Sequence, residues 1–151
     1  MKLLTKPIVA ENGPKLMEQN KKHIYIAGKV ENGKKSIQSL ATDLEERGHI
    51  ITYKWWEKDI NKPYLNKENV NDSMNASLEM ENGVRQSDIF ILMPDPNILG
   101  AGIEFGIAIG DDKEREILVI LDKDTRQSVF YANPKVICLK SLGAICSCNW
   151  F

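Results

Sequence analysis

Three short runs in this chain are apolar at almost every position: Ile24-Tyr25-Ile26-Ala27-Gly28, Ile89-Phe90-Ile91-Leu92-Met93 and Ile117 to Leu121. Runs this short, bounded by turn residues and rich in β-branched side chains, read as buried strands. Strands buried on both faces need helices on both sides. The intervening segments supply them. Ile37, Leu40, Ala41 and Leu44 recur at helical spacing, and Gly48 stands where a helix-ending glycine belongs. Asn71 to Gln86 reads as a second helix capped by Asn71 or Asp72. Gly100 to Gly110 reads as a third, small-residue helix with Glu104 in or near its first turn. Ile50 to Tyr53 and Val136 to Leu139 add two further strands. Residues 55–70 are polar, are broken by Lys62-Pro63, and read as a long loop.

Strands alternating with helices make βαβ units and a parallel sheet. Five of them predict a flavodoxin-like doubly wound α/β domain, a mainly parallel sheet with helices on both faces. The expected boundaries are an arm over 1–22, broken at Asn12-Gly13-Pro14, and one domain over 23–151. Such folds bind ligands beyond the carboxyl ends of the strands, where the strand order reverses. That expectation places Gly28–Gly33, the Trp55-Trp56 pair and Pro94–Glu104 around one crevice.

Composition excludes several partners. There are 20 basic and 21 acidic residues, a net charge of −1. That balance leaves no basic footprint for a nucleic acid polymer or a membrane surface. No apolar run approaches the ~20 residues that span a bilayer, and the first residues lack a signal-peptide pattern. Cys138, Cys146 and Cys148 form an odd, late cluster, neither a disulfide framework nor a zinc site. Reduced thiols in a cytoplasmic protein are expected.

Chemistry concentrates in Gly100-Ala-Gly102-Ile-Glu104-Phe-Gly106, after a strand and at the start of a helix. One reading is a dinucleotide fingerprint, with Asp122 ending the next strand as a ribose ligand. The motif follows the third strand rather than the first, the tight turn is missing, and Glu104 would face the pyrophosphate. The other reading makes Glu104 the reacting group. The glycines admit a substrate to the backbone, and the helix N-terminus is expected to keep the carboxylate ionised. An ionised carboxylate beside a sugar attacks an anomeric carbon.

Three segments in order resemble the nucleoside 2-deoxyribosyltransferase-like family, which includes deoxynucleoside 5′-monophosphate N-glycosidases. They are Ile24–Gly28, Gly83-Val84-Arg85-Gln86-Ser87-Asp88, and Leu99-Gly-Ala-Gly-Ile-Glu104-Phe-Gly-Ile-Ala108. Phe130-Tyr131-Ala132-Asn133-Pro134 also resembles a segment of a bacterial branch. The resemblance covers about residues 23–140 and makes the domain deoxyribosyltransferase-like. It implies cleavage or transfer at the N-glycosidic bond of a (deoxy)nucleoside or its 5′-monophosphate, through a glycosyl-enzyme on Glu104. It implies Tyr25 beside that nucleophile, Gly28 and Lys29 toward the sugar 5′ end, and Gly100 and Gly102 along the sugar. It implies no metal or organic cofactor, a small-molecule nucleoside or nucleotide as partner, and a homodimer or larger assembly. Trp55 is expected to stack on the base.

The chain departs from the family pattern twice. Met80 stands where the family has an aspartate, and its neighbours Glu79 and Glu81 are each turned about 100° around the helix. Ile98 stands six before Glu104, where an Asp or Ser is usual, with Asn97 beside it as a substrate-binding candidate. These departures support an alternative, a nucleotide-binding or sensing module that lost its chemistry. NAD glycohydrolysis by a lone glutamate is a third reading. Elsewhere, Asp88 reads as structural, His23 as surface, and Asp111 to Glu116 as a solvated connection.

Overall fold

The computed structural model describes residues 20–28, 30–94, 99–121 and 127–147. Its elements run β1 (His23–Ala27), α1 (Val30–Glu46), β2 (Ile50–Ile51), α2 (Val70–Gln86), β3 (Ile89–Leu92), α3 (Leu99–Gly110), β4 (Glu116–Ile120) and β5 (Val136–Leu139). Short 3₁₀ segments lie at Trp55–Glu57, Val129–Ala132 and Leu142–Ser147. The five strands form one sheet in the order β2-β1-β3-β4-β5, every pair parallel. This is the flavodoxin-like order that the alternation of strands and helices predicts.

The apolar runs explain the middle of the sheet. Ile24 to Ala27 and Ile89 to Leu92 are at most 1% exposed, and Tyr25 lies in register with Phe90. Right-handed crossovers put α1 on one face, because the chain steps from β1 to β2 in one direction and then back across to β3. Helices α2 and α3 follow the return direction, share the opposite face and pack on each other. Gly48, at φ +90°, turns the chain out of α1, as its position predicts. The strand β1 therefore lies at the switch point, and its carboxyl end opens between β2 and β3.

Several local expectations change. Helix α1 begins at Val30, so Gly33 belongs to its first turns rather than to a loop. Helix α2 begins at Val70, one residue earlier than Asn71, and its cap position, Asn69, makes no side-chain capping bond. The 55–70 loop contains a 3₁₀ turn at Trp55–Glu57. The link from β4 to β5 uses the short Val129–Ala132 segment as its described helical part. After β5, Leu142 and Gly143 line a groove with Lys35, Ser39 and Leu40 of α1, and Ile145 is fully buried.

The Asp111–Glu116 connection is not simply solvated. The Arg115 side chain is 1% exposed. Its guanidinium donates to the carbonyls of Val84 (2.8 Å) and Arg85 (3.4 Å) and pairs with Asp111. These are end carbonyls of α2, which have no partner inside the helix. A cation there also complements the helix dipole. Asp88 is structural, as expected. Its carboxylate accepts from the His23 amide (2.9 Å) and from Lys113 (3.1 Å). Partial burial pushes the Asp88 carboxyl up, but the His23 amide and the Lys113 ammonium outweigh it and hold the group below its ordinary value.

Arg115→Ala leaves Asp111 without this partner and removes one donor from the Val84 carbonyl, which keeps the Ser87 N–H (3.2 Å) and hydroxyl (2.7 Å). We expect a loss of about 2 kcal/mol, read as a lower urea midpoint at unchanged slope.

Candidate active site

The site begins in the core. Tyr25 is fully buried and its ring stacks on Phe90 (5.8 Å between centroids, planes 3° apart). Phe90 meets Phe105 of α3, and Phe105 meets Tyr131 edge-on. This aromatic row fills the α2–α3 face of the sheet. It places Tyr25 and α3 in one layer, so the phenol reaches Glu104. The Tyr25 hydroxyl donates to Glu104 Oε1 at 2.8 Å.

The ring fits there because of a glycine. A Cβ on Gly83 of α2 would stand 3.0 Å from two Tyr25 ring carbons and 2.9 Å from Tyr53 Cβ. Glycine inside a helix costs about 1 kcal/mol relative to alanine. Here it lets two tyrosines lie against the helix. An isolated glycine in a helical pattern is itself a packing signal, and at Gly83 it was the available clue.

Glu104 is the sixth residue of α3, beyond the first turn. The N-terminal dipole fades within that turn, so it does not keep the carboxylate ionised as the sequence reading expects. Burial dominates instead and pushes the Glu104 carboxyl up to about 7, against the Tyr25 hydrogen bond, which pulls it down. Burial first, then the charge and hydrogen bond of Glu104, push the Tyr25 phenol far above its ordinary value. Tyr25 stays protonated and donates. Glu104 Oε2 has no hydrogen-bond partner among the described residues.

A second phenol–carboxylate pair lies beside the first. The Tyr53 hydroxyl donates to Glu79 Oε2 at 2.7 Å. The α2 register that turns Met80 onto the core leaves Glu79 exposed and on Tyr53, while Glu81 pairs with Arg85. Burial, then the hydrogen bond and charge of Glu79, push the Tyr53 phenol upward. The sequence reading missed Tyr53, because a tyrosine after a short strand carries no local mark of its partner.

The other candidates divide. Gly100 and Gly102 are exposed on the first turn of α3, and an added Cβ at either meets nothing within 4 Å. Gly28 serves packing: a Cβ there would stand 2.6 Å from Ile37 Cδ1 and 3.4 Å from the Met93 carbonyl. Trp55 is 7% exposed, donates its indole N–H to the Ile26 carbonyl at 2.8 Å, and meets Trp56 edge-on. Its ring is part of the core at the end of β1, not a face open to a base. Lys29, Asn97, Ile98 and Asp122 lie outside the described residues. Among the described residues, no three His, Cys, Asp or Glu side chains gather as a metal site, and no helix is long and apolar enough to cross a membrane.

Comparison with solved structures finds a similar fold in the Clostridium botulinum CMP N-glycosidase BcmB. The match has a TM-score of 0.53 and 19% identity, over 78% of this chain and 88% of that one. The likeness is one of fold. No family model and no curated protein matches the sequence.

The raised Glu104 carboxyl makes a stability prediction. Between the usual carboxylate range and about pH 7, the folded chain holds a proton that the unfolded chain has lost. Stability therefore falls as pH rises through that window. The cost is at most about 3 kcal/mol at ~1.36 kcal/mol per unit. Glu104→Gln should remove this fall, so urea midpoints should show the variant more stable than wild type at pH 8 and close to it at pH 4.5.

Proposed function

We infer that the chain cleaves, or transfers across, the N-glycosidic bond of a (deoxy)nucleoside or nucleoside 5′-monophosphate, with Glu104 as nucleophile. The observation that carries this reading is the Tyr25–Glu104 hydrogen bond at the switch point. It holds one oxygen of a partly buried carboxylate in place and leaves the other without a described partner. The fold shared with a CMP N-glycosidase supports the same class of substrate, as do the segments that resemble the deoxyribosyltransferase-like family.

In the first step Glu104 Oε2 attacks C1′ of the sugar. The C1′–N bond breaks, and its electron pair leaves with the base, which takes up a proton from solvent water. The glycosyl-enzyme then passes the sugar to water or to an incoming base. Gly100 and Gly102, open above α3, give the sugar a close approach to the backbone. Tyr25 positions the nucleophile and favours its charged form. The family resemblance assigns Gly28 and Lys29 to the sugar 5′ end, and Asn97 is a further substrate-binding candidate.

Ionisation of Glu104 is the condition for attack. The rate should therefore rise with pH through about 7, as the carboxylate forms. Chromatography of free base from a panel of ribo- and deoxyribonucleosides, their 5′-monophosphates and NAD tests the function. A second base in the mixture tests transfer. Base release should fall by about 10³-fold or more in Glu104→Ala. Release that survives this change removes Glu104 as nucleophile, and nicotinamide as the base released makes the chain an NAD glycohydrolase. Tyr25→Phe removes the bond that lowers the Glu104 carboxyl, so its acid limb should move above that of wild type.

The assembly proposed with this function is a homodimer or larger. Val70, Met74 and Leu78 form an exposed apolar row on α2, and Leu99 and Ile103 form another on α3. Contiguous exposed apolar surface marks an interaction site. Sedimentation should show a species larger than 17.1 kDa, and Met74→Lys with Leu78→Lys should shift it toward the monomer.

A further inference from the structure

We propose that Glu79, held by Tyr53, is the general base that activates water against the glycosyl-enzyme, so that the two phenol–carboxylate pairs divide the two half-reactions. The proposal rests on the Glu104 reading above and extends it to a residue on a different helix.

The geometry is specific to α2. Gly83 is the shared wall: Tyr25 and Tyr53 both press on the space where its side chain would be, at 3.0 and 2.9 Å. Glu79 lies four residues before Gly83, on the same face of the helix. Helix α2 runs antiparallel to the strands, so the step from Gly83 back to Glu79 leads toward the carboxyl edge of the sheet, where the chain also leaves β2 for Tyr53. The Tyr53 Cβ and the Tyr25 ring thus approach the helix across the same glycine. The order along this wall is Glu79, Tyr53, Tyr25, Glu104, with one carboxylate on each of two helices that pack together.

The two carboxylates are exposed unequally. Glu104 is partly buried and suited to be attached to a sugar. Glu79 is exposed. One of its oxygens, Oε2, accepts from the Tyr53 hydroxyl at 2.7 Å, and Oε1 has no hydrogen-bond partner among the described residues. An anchored carboxylate with one open oxygen at the solvent side is arranged to take a proton from water. Glu81 is engaged differently, in an ion pair with Arg85 at 2.9 Å. Met80 packs on the core. Of these three consecutive residues, Glu79 alone combines a tyrosine anchor with the wall that carries Tyr25.

The step balances as follows. Glu79 Oε1 takes one proton from a water molecule as the water oxygen bonds to C1′. The C1′–O bond to Glu104 breaks, and its electron pair returns to the Glu104 carboxylate. The sugar leaves with a hydroxyl at C1′, and Glu79 releases its proton to solvent. The first half-reaction, departure of the base, does not pass through Glu79.

The test uses the full chain and whichever nucleoside or 5′-monophosphate the wild type cleaves. Glu79→Gln should release one equivalent of base per chain in a first turnover. It should then slow by about 10²–10⁴-fold. Intact-mass measurement after rapid quenching should show the sugar attached, and digestion should place it on Glu104. Sodium azide, which needs no general base, should restore turnover and yield the glycosyl azide. Tyr53→Phe, which keeps Glu79 and frees it from its anchor, should show a milder loss with the same adduct. Unchanged steady-state release by Glu79→Gln overturns the proposal. So does slow release with no adduct and no azide rescue, which is the signature of a structural role. No base release by wild type overturns the Glu104 reading itself, an outcome separate from either of these.

Discussion

The Tyr25 hydroxyl sits at the end of a fully buried ring. A buried phenol without a partner would cost about 1–3 kcal/mol, and here it is satisfied by a carboxylate from another element. The rest of the site follows from that bond. Strand β1 has to lie at the centre of the sheet for the ring to be covered. Helix α2 has to carry a glycine where the ring passes. Helix α3 has to present Glu104 at the height of the phenol. One side chain therefore serves as core, as spacer between two helices, and as the donor that fixes an acid.

The same burial sets the chemistry. Two effects act on Glu104 in opposite directions, and desolvation prevails over the hydrogen bond. The carboxyl titrates near neutrality, where an acid or a nucleophile can change state under working conditions. A group held this way works against the stability of the fold above its own titration, which is a common arrangement at functional sites. Tyr53 and Glu79 repeat the pairing at the exposed surface.

Much of the fold was legible before the structure. Apolar runs such as Ile89 to Leu92 announce strands covered on both sides, and alternation with helices leaves few topologies once crossover handedness is imposed. Glu104 was legible as a candidate because a glycine-rich helix start carrying one acid is an unusual local pattern, and the family resemblance pointed to the same residue. Its electrostatics were not. The helix starts at Leu99, one residue before the expected Gly100, and Glu104 lies beyond its first turn, while burial is set by neighbours far along the chain. The burial of Trp55 is illegible in the sequence for a related reason. A tryptophan after a strand can face out or in, and the Ile26 carbonyl that receives its N–H lies 29 residues away. Arg115 shows the same blindness. A run of charges looks solvated until the end of α2 arrives over it.

The amino-acid sequence alone determined the strands, the helices, the parallel α/β class and the position of one acid worth testing. Those are properties of local periodicity and residue type, which need no knowledge of distant neighbours. Tertiary structure decided which polar atoms meet: Tyr25 with Glu104, Tyr53 with Glu79, Arg115 with the last carbonyls of α2. These partners lie 26 to 79 residues apart along the chain. A hydrogen bond over such separations depends on how whole elements pack, and a carboxyl is tuned by that packing more than by its place in a motif.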